Sequence, residues 1–235
     1  MIRSFALRAI AGATLFAAGV GAQAGTVVLS NYTYGNGNTV AVTSPTYSGG
    51  AGGFSGTLSG FGAFDGAIET YCVELSESFS FGTSYNDYNL VGAASHFTSD
   101  QVTALGKLIS YVYGNNLFGS TVAGYKDDLS TAVQIAIWNI VYDTDTTLNS
   151  GSFRETSTGY RNGTSNYLGA NALLASSQVA SQGITYSLNV LESKGSPGHQ
   201  DQLIWRAVPE PASMSLLALA LGIAGLTTRR RKPAA

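Results

Sequence analysis

Residues 132–142, AVQIAIWNIVY, contain only two strongly polar side chains, Gln134 and Asn139. This composition predicts an element that is buried on most sides. Its length favours a helix with Ser130 as the N-cap. A buried carboxamide without partners costs about 1–3 kcal/mol, so Gln134 must find a hydrogen-bond partner or a covalent one. β-Branched residues of the segment keep a strand possible, among them Ile135, Ile137, Ile140 and Val141.

The first 24 residues have the layout of a secretory signal peptide. Arg3 and Arg8 supply positive charge, residues 9–20 are apolar, and Ala22-Gln23-Ala24 is a small-x-small cleavage site. We therefore expect the mature chain to begin at Gly25. An uncleaved membrane anchor is the alternative, but the apolar run is too short to cross a bilayer.

Composition agrees with export. Only 11% of the residues are charged, the net charge is −2, and glycine is plentiful at 29 residues. This is typical of an extracellular β-rich domain. No basic stripe lies outside the termini, so nucleic acid is not an expected partner. Roughly 185 residues remain between the terminal signals, enough for one domain with its own core.

Cys72 is the only cysteine of the chain. Exported proteins pass through an oxidising compartment where thiols are normally paired, yet this thiol has no partner in its own chain. Three interpretations compete: a buried inert thiol, an intermolecular disulfide, and a thiol capped internally by an acyl group.

Two short segments, one around Cys72 and one around Gln134, resemble the paired motifs of bacterial surface thioester domains. In that family a cysteine sulfur joins a glutamine side-chain carbonyl with loss of ammonia. The resemblance spans roughly residues 25–205 and implies that Cys72 and Gln134 form the bond. The best-known members are adhesins of Gram-positive bacteria, whereas the C-terminal pattern described below points to a Gram-negative cell. The motif neighbours are Tyr71, Val73, Ile135, Ala136, Ile137 and Trp138.

The pattern of elements predicts an α+β fold, a β-rich sandwich or barrel with an inserted helical subdomain of about three helices. This domain is expected to span residues 25–207, with helices within about 98–182. A capping box from Thr98 to Gln101 opens the first helix, and the third covers residues 165 to about 182. Residues 44–53 are predicted to be turns. Strands are predicted at residues 26–29, 39–43, 57–58, 68–75, 184–191 and 202–208.

Neither metal binding nor hydrolysis is favoured by the remaining residues. His96 and His199 are the only histidines, and with one cysteine they match no recognised zinc spacing. We therefore expect no metal and no other cofactor. A hydrolase dyad of Cys72 and His96 is the least favoured function, because His96 is predicted to lie in a surface loop.

Residues 208–235 form a second motif. Pro209, Glu210 and Pro211 precede an apolar segment, residues 212–228, and a basic cluster, residues 229–232. A helix of that length rises only about 25 Å, barely enough to span a bilayer, and the basic cluster would stay in the cytoplasm. This tripartite pattern is similar to the PEP-CTERM sorting signal of Gram-negative bacteria.

That similarity implies an exosortase-type transpeptidase as partner, which would recognise Pro209-Glu210-Pro211 and remove the tail. The chain would be held briefly in the inner membrane and then reach the cell surface or the extracellular matrix. A permanent single-span anchor is the alternative.

The functional hypothesis is an exported surface or matrix protein, not an enzyme, that attaches covalently to an amine or hydroxyl through a thioester of Cys72 and Gln134. The alternative is a non-reactive structural protein of the exopolysaccharide or biofilm matrix, in which Cys72 is a buried free thiol.

Overall fold

The computed structural model describes residues 23–143, 145–180 and 185–208. The predicted signal peptide up to residue 22 lies outside the described residues, as do Pro209, Glu210, Pro211, the apolar segment and the basic cluster. Within the described part, no helix has the length and apolarity needed to cross a membrane.

A six-stranded antiparallel barrel forms the larger part of the fold. Its strands are β1 (Gln23–Tyr32), β4 (Phe54–Ser59), β5 (Gly66–Cys72), β6 (Ser84–Gly92), β8 (Tyr186–Ser193) and β9 (Gln202–Ala207). They close in the order β1-β4-β5-β9-β8-β6. A separate three-stranded sheet, ordered β3-β2-β7, contains β2 (Asn38–Ser44), β3 (Thr46–Ala51) and β7 (Arg154–Glu155).

The helices are inserted between β6 and β8, so the predicted α+β class with an inserted helical region is confirmed. They are α1 (Ser99–Gly114), α2 (Tyr125–Tyr142), α3 (Thr158–Asn162) and α4 (Ala170–Val179). The predicted capping box is present at the start of α1, where the Thr98 hydroxyl accepts from the Gln101 main-chain N–H. Helix α1 ends at Gly114.

Helix α2 lies at the centre of the fold. Residues 129–140 are all buried, and α2 contacts the other three helices, barrel strand β5, and strands β2 and β3 of the smaller sheet. Full burial of each large aliphatic side chain contributes about 1.5–3 kcal/mol. The segment AVQIAIWNIVY is therefore largely buried, as its composition predicted. It joins the two sheets through one shared core.

The start of α2 was predicted wrongly. The helix begins at Tyr125 with Gly124 as its N-cap, so Ser130 lies inside it. Asp127 and Asp128 occupy the first turn, where carboxylates favour the positive end of the helix dipole. The Ser130 hydroxyl instead accepts the main-chain N–H of Gly53 at 2.8 Å.

Other predicted boundaries also differ, among them the following. Residues 46–51 were expected to be turns but form β3, because each pairs with a residue of β2 across a tight connection. The helix predicted at residues 165 to about 182 corresponds to α4 and starts only at Ala170, since Gly169 is its N-cap. Strand β5 ends at Cys72, whereas the prediction extended it to Leu75.

Replacing Ser130 with alanine should lower the free energy of unfolding by about 1–3 kcal/mol, because the buried N–H of Gly53 loses its acceptor. Denaturant unfolding measures the difference. Ser99→Ala, at an exposed position in α1, should change stability by less than about 0.5 kcal/mol. Equal losses in the two variants would contradict the assigned role of Ser130.

Candidate functional site

Cys72 lies at the meeting point of the barrel and the helical region. It is the last residue of β5 and pairs with Gln202 of β9. The neighbouring main chain continues this contact, since the N–H of Val73 donates to the carbonyl of Asp201 at 3.1 Å. Only 3% of Cys72 is exposed. The sulfur is therefore held in an almost dry environment.

The Gln134 carboxamide holds the main chain of Cys72 on both sides. Gln134 Oε1 accepts the Cys72 N–H at 3.0 Å, and Gln134 Nε2 donates to the Cys72 carbonyl at 2.8 Å. Gln134 is fully buried, and these two bonds satisfy its polar atoms. The structure thus brings the two predicted residues together, but these hydrogen bonds run to the main chain of Cys72, not to the sulfur. A covalent bond between them stays a prediction.

The carboxamide that contacts the sulfur belongs to Gln200. Cys72 Sγ lies 2.7 Å from Gln200 Oε1. That separation is usual between two hydrogen-bonded oxygens, and sulfur is the larger atom, so the contact is close. Gln202 Nε2 lies 3.8 Å from the same sulfur. Three glutamines, on α2 and at the start of β9, therefore surround Cys72.

Gln200 is fixed at both ends. Its side-chain Nε2 donates to the main-chain carbonyl of Glu74 at 2.8 Å. Its main-chain carbonyl accepts the hydroxyl of Tyr88 at 2.8 Å. Gln202 Nε2 also donates to that carbonyl at 3.1 Å. The carboxamide of Gln200 is therefore preorganised beside the sulfur.

The predicted motif neighbours are buried core residues. Tyr71 stacks on Trp205 with ring centroids 5.7 Å apart, and its hydroxyl lies 3.3 Å from Ser130 Oγ. Trp138 meets the ring of Tyr47 edge-on at 5.4 Å. The other neighbours are buried apolar residues: Val73, Ile135, Ala136 and Ile137. They belong to the same buried core as Cys72.

Burial raises the pKa of the Cys72 thiol, and the nearby Glu74 charge raises it further. A thiol that keeps its proton is a poor turnover nucleophile, since the thiolate is the reactive form. His96 faces other groups: its nitrogens lie 3.6 Å from Glu192 Oε1 and 3.8 Å from Asp201 Oδ2. The Cys72–His96 hydrolase dyad gains no support from this arrangement.

The same three side chains form the one candidate cation cluster among the described residues. Ligand atoms of His96, Glu192 and Asp201 lie within 4.8 Å of one another. Lys194 contacts Glu192 and already brings positive charge to the cluster. An ion-pair network therefore accounts for the arrangement.

A cleft of about 180 Å³ opens onto the sulfur, and we call it the cysteine cleft. Its lining includes Cys72, Gln200, Glu77 and Ser78. Its walls are five aromatic rings: Tyr32, Tyr47, Phe54, Phe79 and Phe81. Phe81 is 41% exposed, which is unusual for so large an apolar side chain.

Acidic groups surround the base of the cysteine cleft. Glu74 Oε1 accepts the Asp201 N–H at 2.9 Å. Burial raises the pKa of Glu74 to about 7, and the charges of Asp201 and Glu77 add to the rise. Burial likewise raises the pKa of Asp201 to about 6, with contributions from Glu192 and Glu77.

Gln200 and Gln202 are the site residues that the sequence analysis did not single out. The available signal was the pair of amides in HQDQLIW, at the start of an otherwise apolar strand. A buried amide in such a strand needs a partner, as Gln134 did. Distance along the chain concealed that partner, since 128 positions separate Gln200 from Cys72.

Comparison with known proteins identifies the C-terminus alone. Residues 207–232 match the PEP-CTERM protein-sorting motif. This match implies export, processing by an exosortase and sorting to the cell surface. No curated protein and no solved structure matches the chain.

The domain should lose stability as the pH rises from about 4 to about 7. In the folded protein Glu74 and Asp201 bind protons more tightly than in the unfolded chain, in which their pKa values are 4.5 and 3.8. The folded state therefore retains protons that the unfolded state releases, and the free energy of unfolding falls. Melting temperatures across this range measure the slope.

Glu74→Gln should flatten that slope, because the amide still accepts the Asp201 N–H but no longer titrates. Asp100→Asn, at an exposed position in α1, is the matched control and should keep the wild-type slope between pH 5 and 7. A wild-type melting temperature that rises over this interval would contradict the assignment.

Proposed function

We propose that this exported, exosortase-sorted protein carries an internal thioester of Cys72 that attaches it covalently to a nucleophile on a target surface or matrix component. The bond is consumed when it reacts, so each molecule acts once and the protein is not an enzyme. The observation that carries the proposal is the 2.7 Å contact between Cys72 Sγ and a glutamine carboxamide in a dry site.

Thioester formation needs only groups that are present. The sulfur attacks the carboxamide carbon, the thiol proton moves to the departing nitrogen, and ammonia leaves. In the capture step, an amine or hydroxyl attacks the acyl carbon and Cys72 is released as a thiol. Burial protects the bond meanwhile, because excluding water slows its hydrolysis.

The geometry favours Gln200 over Gln134 as the acyl donor. The Gln200 carboxamide contacts the sulfur and lines the cysteine cleft, so a nucleophile entering the cleft would meet it. Gln134 would first have to break two hydrogen bonds, each worth about 1 kcal/mol, to turn towards the sulfur. In this proposal Gln134, the donor predicted from the motif, instead positions the main chain of Cys72.

A non-reactive structural protein of the extracellular matrix is the second candidate. The observation that favours it is the burial of Cys72, which raises the pKa of the thiol and keeps the sulfur protonated. In that case Cys72 is a core residue and the cysteine cleft has no covalent role.

The mature domain should be lighter than its calculated mass by one ammonia, and methylamine should add one molecule of itself. Intact-mass spectrometry measures both changes, and Cys72→Ala should abolish both. Unmodified mass in the wild-type protein, together with a thiol that is free after denaturation, would reject the thioester and leave the structural alternative.

Peptide mapping of the methylamine-treated wild-type protein identifies the donor without any mutation. We expect the methylamide on Gln200. A methylamide on Gln134 would keep the thioester but restore the pairing predicted from the sequence. The variants Gln200→Ala and Gln134→Ala provide a second comparison, since only loss of the true donor must abolish methylamine uptake.

Opening the thioester should also destabilise the fold. A link between Cys72 and Gln200 closes a loop of 128 positions, and the chain-entropy model assigns such a loop about 5 kcal/mol. Methylamine-treated protein should therefore melt on the order of 10 °C below untreated protein. Cys72→Ala treated with methylamine is the control for the reagent, and its melting temperature should not change.

A further inference from the structure

Glu77 is the only charged side chain that lines the cysteine cleft within the described part of the chain. The remaining lining is aromatic or neutral apart from the buried thiol of Cys72. No lysine or arginine contributes to this lining to neutralise the carboxylate. The cleft therefore presents one carboxyl group in a lining that is otherwise mostly aromatic and that also includes Cys72 and Gln200.

The backbone of the 196–199 segment leaves space for that carboxylate. A Cβ at Gly198 would lie 2.6 Å from Glu77 Oε1 and 2.8 Å from Oε2, so only glycine lets the carboxylate occupy this position. The glycine thus makes room for Glu77 at the junction of the cleft and the 196–199 segment.

Glu77 belongs to a group of neighbouring acids, and its charge helps to raise the pKa of Glu74 and of Asp201. Glu74 shares a hydrogen bond with it, and the Glu77 charge acts on Asp201. Beyond these, Asp201 faces charged groups on the adjacent elements: His96, Glu192 and Lys194. The cluster is thus predominantly acidic and suited to exchange a proton near neutral pH.

We propose that Glu77 receives the incoming nucleophile in the cysteine cleft and accepts the proton that its attacking atom loses, which favours a primary amine over a hydroxyl. This inference rests on the thioester of the proposed function. The amine arrives as an ammonium group, which a carboxylate attracts and which aromatic faces also favour. A neutral hydroxyl gains neither interaction.

The proton follows a balanced route. The ammonium group gives one proton to the Glu77 carboxylate, and the neutral nitrogen attacks the acyl carbon. The carbon–sulfur bond breaks, nitrogen loses its second proton to solvent, and Glu77 returns its proton to the departing sulfur. Burial raises the pKa of the Cys72 thiol, so the sulfur leaves readily only when a proton reaches it.

The test compares reaction rates of the mature, thioester-containing protein with methylamine, a cation near neutral pH, and with hydroxylamine, which is neutral there. Intact mass follows both reactions across pH 6–9. A positioned general base contributes about 10²–10⁴-fold, so Glu77→Gln should slow methylamine about 100-fold at pH 7 and slow hydroxylamine less. The deficit should shrink as the pH rises and solvent deprotonates the amine.

Three variants support this comparison. Glu77→Asp keeps the carboxylate and should recover part of the rate. Gly198→Ala should displace the carboxylate without changing it and should give an intermediate rate. Asp100→Asn makes the same carboxylate-to-carboxamide change at an exposed position in α1, outside the cleft, and should stay within about twofold of wild type.

Equal methylamine-to-hydroxylamine rate ratios and equal pH profiles in wild type and Glu77→Gln would overturn the inference while leaving the thioester intact. Failure of the proposed function is separate, because wild-type protein would then lack the ammonia-loss mass. If Glu77→Gln forms no thioester, the same ratio measured for Glu77→Asp and Gly198→Ala decides, and wild-type ratios in both would overturn the inference.

Discussion

The two hydrogen bonds between the Gln134 carboxamide and the main chain of Cys72 join the helical insertion to the barrel. Both groups are fully or almost fully buried, so losing either partner would leave unsatisfied polar atoms without water to replace it. The bonds also fix the position of Cys72 at the end of β5. The position of the sulfur relative to Gln200 therefore depends on the packing of α2 against β5.

The proposed thioester would place two opposed requirements on this arrangement. The bond must be dry to survive, yet the target must reach it. On the proposed chemistry, the apolar residues of α2 and the stacked Tyr71 and Trp205 keep one side dry, while the aromatic walls of the cysteine cleft open the other. Phe54 and Phe79, two of these aromatic residues, contact each other edge-on with ring centroids 4.9 Å apart.

The sequence predicted those parts of the fold that depend on local patterns. The capping box at Thr98 begins helix α1, and the apolar run lies in helix α2. Both helices were predicted from these local patterns. Strand β3 was missed because its glycines carry little strand propensity and its pairing with β2 decides its conformation. The glutamine that contacts the sulfur was missed for a related reason: adjacency of β5 and β9 in the barrel is a long-range property, and no local pattern encodes it.

The choice of donor also decides how force would pass through an attached molecule. Gln200 lies only a few residues before the sorting motif that begins at position 207. If its carbonyl carries the target and the C-terminal end is the one retained at the surface, tension runs through β9 alone. With Gln134 as the donor, the same tension would run from α2 through the rest of the chain to the C-terminus and would tend to pull α2 out of the shared core. In the proposed thioester, Gln200 as the donor would therefore keep such tension away from α2 and the shared core.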